Sequence, residues 1–261
     1  MHSTAIAAAK LGLDCRLILR TADPSAPPAL TGNILLDCMS GAQIVWITPE
    51  EYRHREDIFK REEALLRQQG RTPYSIPEGA SNALGAWGYI RAMEELARDM
   101  SQLPDGPARR TTIVVATGSG GTAAGLILGT RLLNLSTRIA AVNVCDDRDY
   151  FLEAIGTICE TAIVTYGLDI SFKRERDIDI VDGYVGRGYA LSRPEELSMI
   201  VDVARREGLF LDPVYTGKAF YGMVQELKRD PRCFGDRIIF IHTGGLFGLF
   251  PQASDMIPLI S

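Results

Sequence analysis

The chain has 261 residues, 46% hydrophobic and 23% charged, with a formal net charge of −5. That is enough apolar side chain for a sizeable core, and no basic patch is interleaved with aromatics, so a nucleic-acid partner is excluded. No apolar run reaches the length of a membrane span, and the first residues lack the basic-then-apolar pattern of a secretory signal. The five cysteines form no CxxC pair, and His2, His54 and His242 lack ligand spacing. Disulfide frameworks and metal sites are therefore poor readings, and reduced thiols in a cytoplasmic protein are expected.

In chain order, Ser3 or Thr4 is placed to cap a first helix that Gly12 ends. CRLILRT reads as a strand, ADPSAPPAL as a loop, NILLDCMSG as a helix ending near Gly41, and AQIVWIT as a second strand. Pro49 then opens a charged helix that runs from Glu50 to Gln69. Alternating helices and strands predict a parallel sheet. The turn-rich TPYSIPEGASN marks a domain crossing, giving a partial small α/β domain at 1–75 and a larger one at 76–261. Ser81 or Asn82 is placed to cap the next helix, in which Leu84, Trp87, Ile90, Met93, Ala97 and Met100 form a core-facing stripe. PDGPARR is a loop. TTIVVA is a strand, AAGLILGTRLL a helix, and RIAAVNVC a strand. DIDIVDGYVGRGYALSRPEE mixes strand and loop, and Pro194 opens another helix. DPVYTGK is a loop leading into the helix AFYGMVQELKR. RIIFIHTGG is a last strand with a second glycine turn.

The strongest local signal is Ala116-Thr117-Gly118-Ser119-Gly120-Gly121-Thr122, set between a β-branched strand and an apolar helix. Glycines allow a tight turn and close approach, and the free amides and dipole of a helix start attract an anion. Ser119 and Thr122 add hydroxyl donors, so a phosphate fits, although a plain strand–helix turn has the same pattern. No Lys-Ser/Thr pair follows, which excludes a triphosphate P-loop. Gly118 to Ala123 matches G-x-G-x-x-A, with Asp146 and Asp147 after the next strand. An NAD-binding domain is thus a rival reading, weakened by the long spacing to those acids.

Four stretches in order resemble the D-cysteine desulfhydrase / 1-aminocyclopropane-1-carboxylate (ACC) deaminase family of pyridoxal-phosphate (PLP) enzymes. They are TAIAAAKLGL at 4–13, IPEGASNALGAWGYIRAMEEL at 76–96, GSGGTAAG at 118–125, and LDPVYTGKAFYGM with IHTGG at 211–223 and 241–245. The resemblance implies the tryptophan synthase β-like fold: two open α/β domains, with the cofactor between them. It implies that Thr117, Gly118, Ser119, Gly120, Gly121 and Thr122 cradle the PLP phosphate. Tyr215 and Tyr189 match active-site tyrosines. Thr216 and Thr243 stand where ACC deaminases read VYEGK and HLGG, which is the desulfhydrase-like pattern. A glutamate beside the pyridine nitrogen would strengthen the electron sink that ring opening needs; loss of a thiolate can proceed beside a neutral threonine. The implied reaction is α,β-elimination from D-cysteine to pyruvate, ammonia and hydrogen sulfide, with ACC deamination and cysteate sulfo-lyase activity as alternatives. A small amino acid as substrate and a homodimeric assembly follow from the same resemblance.

The family's lysine that bonds the cofactor lies in a G-N-K stretch that aligns before Met1, as does its S-N-H stretch. A fragment is therefore expected, and a chain that only binds ligand is the alternative from another class. Among Lys10, Lys60, Lys173, Lys218 and Lys228, none shows from sequence the desolvated setting that a nucleophilic lysine needs.

Overall fold

The computed structural model describes residues 2–103 and 110–260, so most of PDGPARR lies outside the described residues. The chain divides into two compact units, Met1–Ile76 and Pro77–Ser261.

In the first unit, α1 (His2–Leu11), β1 (Arg16–Arg20), α2 (Gly32–Met39) and β2 (Gln43–Ile47) alternate, and β1 pairs with β2 in parallel from Arg16↔Gln43 to Arg20↔Ile47. Ala5, Leu17 and Ala42 form the buried centre, with Cys15 and Leu19 against it. The charged segment is two helices, α3 (Pro49–Tyr52) and α4 (Arg55–Gln68), because the backbone leaves helical geometry at His54 (φ −106°, ψ 29°). Thr48 and Glu51 close a reciprocal capping box on α3, the arrangement that satisfies two free amides at a helix start.

The second unit opens with α5 (Ala86–Ser101), followed by β3 (Thr111–Thr117), α6 (Gly121–Leu132), β4 (Arg138–Asn143), α7 (Arg148–Tyr166), α8 (Arg174–Asp177) and β5 (Asp179–Val181). Then come α9 (Pro194–Glu207), α10 (Thr216–Arg229), β6 (Arg237–Ile241) and α11 (Ala253–Ile260). All pairings are parallel, in the order β5-β4-β3-β6. β3 is central, and its β-branched residues alternate between two buried faces. Ile113 and Val115 pack with Ile90, Met93 and Leu126 of α5 and α6; Val114 packs with Ala219 and Met223 of α10. A third cluster joins α9 to α11 through Leu197, Ile200 and Val203.

Several boundaries differ from expectation. Although α5 is bounded at Ala86, Asn82 caps the turn that leads into it: its Oδ1 accepts from the Gly85 amide at 2.7 Å and its carbonyl from the Ala86 amide at 3.0 Å. Ile90, Met93 and Met100 are buried as the stripe requires, but Leu84 and Trp87 are exposed. The cause is the crossing with α6: the contact face of α5 runs through Ala86, Ile90 and Met93, opposite Gly125 and Gly129. Trp87 lies off that face, edge-on to Tyr166. A methyl at Gly125 would stand 2.5 Å from the Ala86 carbonyl oxygen and 2.6 Å from Tyr89 Cβ. Gly125→Ala is therefore expected to destabilise the unit by about 1–3 kcal/mol, measured as a lowered denaturation midpoint. α7 and α11 fall outside the elements expected from sequence. No helix among the described residues is long and apolar enough to cross a membrane.

Candidate active site

Parallel strands end on one edge, so β3, β4 and β6 deliver their C-terminal residues to the same side, the side where ligands of open α/β sheets bind. β3 ends at Thr117, and the chain turns through Gly118, Ser119 and Gly120 into α6. Gly120 takes φ +87°, ψ −20° at the N-cap position, a geometry that disfavours any side chain. The Gly121 amide donates to Ser81 Oγ at 3.2 Å, and that hydroxyl donates to Ser119 Oγ at 2.7 Å. The amide of Ala124 reaches the Gly120 carbonyl, but those of Ser119, Gly120, Thr122 and Ala123 meet no protein acceptor among the described residues. Thr117 Oγ1 is likewise buried without a partner among them. Free donors at the positive end of a twelve-residue helix are the chemistry that an anion site requires.

Beside it lies the segment before α10. Asp212, 1% exposed, accepts from the amides of Val214 (2.8 Å), Tyr215 (2.8 Å) and Thr216 (2.7 Å) and from the Thr216 hydroxyl (2.7 Å). This carboxylate winds the chain into α10, so the helix starts at Thr216, within DPVYTGK. Tyr215 is left at the N-cap position, its ring against the glycine turn: a Cβ on Gly118 would stand 2.7 Å from Tyr215 Cε1. The Tyr215 hydroxyl meets the Tyr189 hydroxyl at 2.6 Å, with the rings edge to face at 5.9 Å. Burial, then the bond to Tyr189, holds the Tyr215 phenol well above its ordinary ionisation range. Tyr189 is 45% exposed, so the pair links the glycine turn to solvent.

Two residues stand in settings that the sequence did not show. Thr216 is fully buried, and its hydroxyl is closed on Asp212, donating to the carboxylate and accepting from the Asp212 amide at 2.8 Å. It thereby helps to scaffold the turn. Lys218 does occupy a desolvated setting: it is fully buried, and its ammonium donates to the carbonyls of Val185 and Gly188, each at 2.6 Å. Burial lowers its pKa. Thr243 is exposed, in the turn after β6. The neighbouring His242 bonds the Phe210 carbonyl through Nε2 at 2.9 Å and accepts from the Gly244 amide at Nδ1.

After β4, fully buried Asn143 shapes the next turn by accepting from the amides of Cys145 and Asp146. Cys145 lies 3.6 Å from the Gly118 carbonyl, and burial together with Asp146 pushes its thiol up to about 12. Asp147 accepts from the Tyr150 amide at 2.7 Å as the cap of α7.

The profile of the family described as "Pyridoxal-phosphate dependent enzyme" matches residues 2–244. The chain belongs to this family. The PLP-dependent family takes precedence over the NAD reading of the glycine turn. The chain is 41% identical over 264 residues to the mitochondrial bifunctional D-cysteine desulfhydrase/1-aminocyclopropane-1-carboxylate deaminase of Arabidopsis thaliana; the match covers 99% of this chain and 64% of that protein. It is 39% identical to a putative 1-aminocyclopropane-1-carboxylate deaminase of Thermotoga maritima, covering 98% of this chain and 77% of the relative. The solved structure of an ACC deaminase homologue superposes with a TM-score of 0.81 at 34% identity, covering 98% of this chain and 73% of that one.

The residues present fit the phosphate end of PLP. Four amides and a buried hydroxyl lack acceptors among the described residues, Gly120 provides the left-handed turn, and Gly118 lets the Tyr215 ring close against the loop. Sequence reasoning missed Ser81, Asp212, Asn143 and Lys218 as contributors. For Asp212 the signal was available: an acid four residues before a hydroxyl, at the entrance to a helix, is capping chemistry.

Proposed function

We propose that this chain carries the cofactor-phosphate site and the tyrosine pair of a PLP-dependent lyase that acts on a small amino acid, with D-cysteine as substrate and pyruvate, ammonia and hydrogen sulfide as products. The observation that carries this reading is the Tyr215–Tyr189 hydroxyl pair set against the glycine turn. PLP, when bound, supplies an electron sink for negative charge at the substrate α-carbon. Thr117, Gly118, Ser119, Gly120, Gly121 and Thr122 hold its phosphate. The Tyr215 hydroxyl, paired with that of Tyr189 beside the glycine turn, would steady the departing β-sulfur by a hydrogen bond, and Tyr189 links the pair to solvent.

One feature favours the thiol: Thr216 offers no carboxylate to the site, which weakens ACC deamination, the second activity in the name of the Arabidopsis relative. Thr243 lines the same strand edge and contributes a hydroxyl to the cofactor ring. A cytoplasmic homodimer without a nucleic-acid partner completes the reading.

The test is sulfide released from D-cysteine by the PLP-loaded protein, alongside ketoacid formed from ACC. With the lysine-bearing G-N-K stretch present, sulfide in excess is expected. Tyr215→Phe should lower its rate by about 10²–10⁴-fold with cofactor affinity retained. Ketoacid from ACC without sulfide would reverse the substrate ranking, and no turnover of either would leave a chain that only binds.

A further inference from the structure

Tyr189 sits on the segment between β5 and α9, which carries three left-handed glycines, Gly183 (φ +95°), Gly186 (φ +72°) and Gly188 (φ +127°), and a left-handed Ala190 (φ +58°). Such a backbone has many conformations open to it, since glycine lowers the cost of each. Yet the Tyr189 hydroxyl stands 2.6 Å from that of Tyr215. Turn bonds from Gly188 to Val185 and from Leu191 to Gly188, and the Ser192 and Gln252 contacts after Tyr189, help to hold the segment; the bend itself is tied to α10 by the fully buried Lys218. Its ammonium bonds the carbonyls of Val185 and Gly188, which bracket the bend immediately before Tyr189. Lys218 itself stands in the first turn of α10, three residues after Tyr215, where a cation opposes the helix dipole and is unfavourable unless it makes compensating bonds. On its other side the bend meets Glu196, 1% exposed: a Cβ on Gly186 would lie 2.9 Å from Glu196 Oε1. Glu196 is held by Arg193 at 2.9 Å.

We infer that Lys218 is a positioning residue: its buried ammonium clamps the Val185–Gly188 bend so that the Tyr189 hydroxyl meets that of Tyr215. The role in turnover rests on the proposed lyase reading; the clamp itself does not. Lys218 thereby ties both tyrosines to one helix start, since Tyr215 is placed by Asp212 and Tyr189 by the lysine.

Exposed Arg187 lies inside the clamped bend, so trypsin reports on its order without any catalysis. Lys218→Met should speed cleavage after Arg187 by about tenfold or more, the factor expected when charge-assisted bonds that close the loop are lost. Lys218→Arg should resist like the wild type, and methylammonium should restore resistance to Lys218→Ala by refilling the carbonyl pair. The hydroxyl-proton resonance shared by Tyr189 and Tyr215, assigned through Tyr189→Phe and Tyr215→Phe, should vanish in Lys218→Met and persist in Lys218→Arg. If Lys218→Met does not fold, Lys218→Ala with and without methylammonium carries the same comparison. In the PLP-loaded protein, Lys218→Met and Tyr189→Phe should lower kcat by the same factor, and the double variant no further. Unchanged cleavage and an unchanged hydroxyl signal in Lys218→Met would overturn the inference, as would damage that neither arginine nor methylammonium repairs. Failure of the lyase reading would instead show as absent turnover with the cleavage and resonance results intact.

Discussion

Asp212→Ala is expected to unfold or severely weaken the second unit and to remove activity in whatever fraction stays folded. The carboxylate accepts three amides and one hydroxyl at 2.7–2.8 Å. Each buried donor left without an acceptor costs about 1–3 kcal/mol, a large share of the stability of any single domain. The same substitution frees Tyr215 from the N-cap position, and loss of orientation alone costs about a hundredfold in rate. Asp212→Asn keeps one acceptor oxygen and should fall between the two. Urea denaturation and kcat measured on the soluble fraction check both effects.

The second large effect separates two glycines of one turn. Gly118→Ala places a methyl 2.7 Å from the Tyr215 ring, so the ring must move. The expected result is a fall in kcat comparable with Tyr215→Phe and little change in cofactor affinity. Gly120→Ala forces a side chain into φ +87° and sets it 3.0 Å from Ile155 Cγ1. The left-handed strain alone is about 1–2 kcal/mol. Relief of that strain turns the amides of Ser119 and Thr122 away from a common centre, so PLP affinity should fall by about tenfold or more with kcat preserved at saturation. Cofactor titration and steady-state rates on the two variants give opposite patterns if the site is assigned correctly.

Much of this arrangement was legible in the residues. TTIVVA announces a strand buried on both faces, and the glycine turn that follows it announces an anion site, because both signals are local. The pairing of Tyr189 with Tyr215 was not legible from spacing: it joins two loops 26 positions apart, and only the resemblance put both in one site. Thr216 was singled out by the resemblance, and its bonds to the acid four residues earlier could not be read from that comparison. Lys218 was opaque for a related reason. A lysine in an amphipathic helix ordinarily points to solvent, and its two carbonyl partners come from a loop about thirty residues upstream that shows no pattern of its own. α5 was misread at its start because Leu84 and Trp87 continue an apolar period, while the closeness of its crossing is set by Gly125 and Gly129 on the partner helix.

The central claim is that the cofactor is held by its phosphate at the start of α6. The direct measurement compares binding of PLP with binding of pyridoxal, which lacks only the phosphate, by the wild-type protein and by Gly120→Ala. Four free amides at a helix start predict that PLP binds about a hundredfold or more tightly than pyridoxal, that inorganic phosphate competes, and that Gly120→Ala narrows the gap. Equal affinity for the two compounds, or a gap that Gly120→Ala leaves untouched, would contradict it.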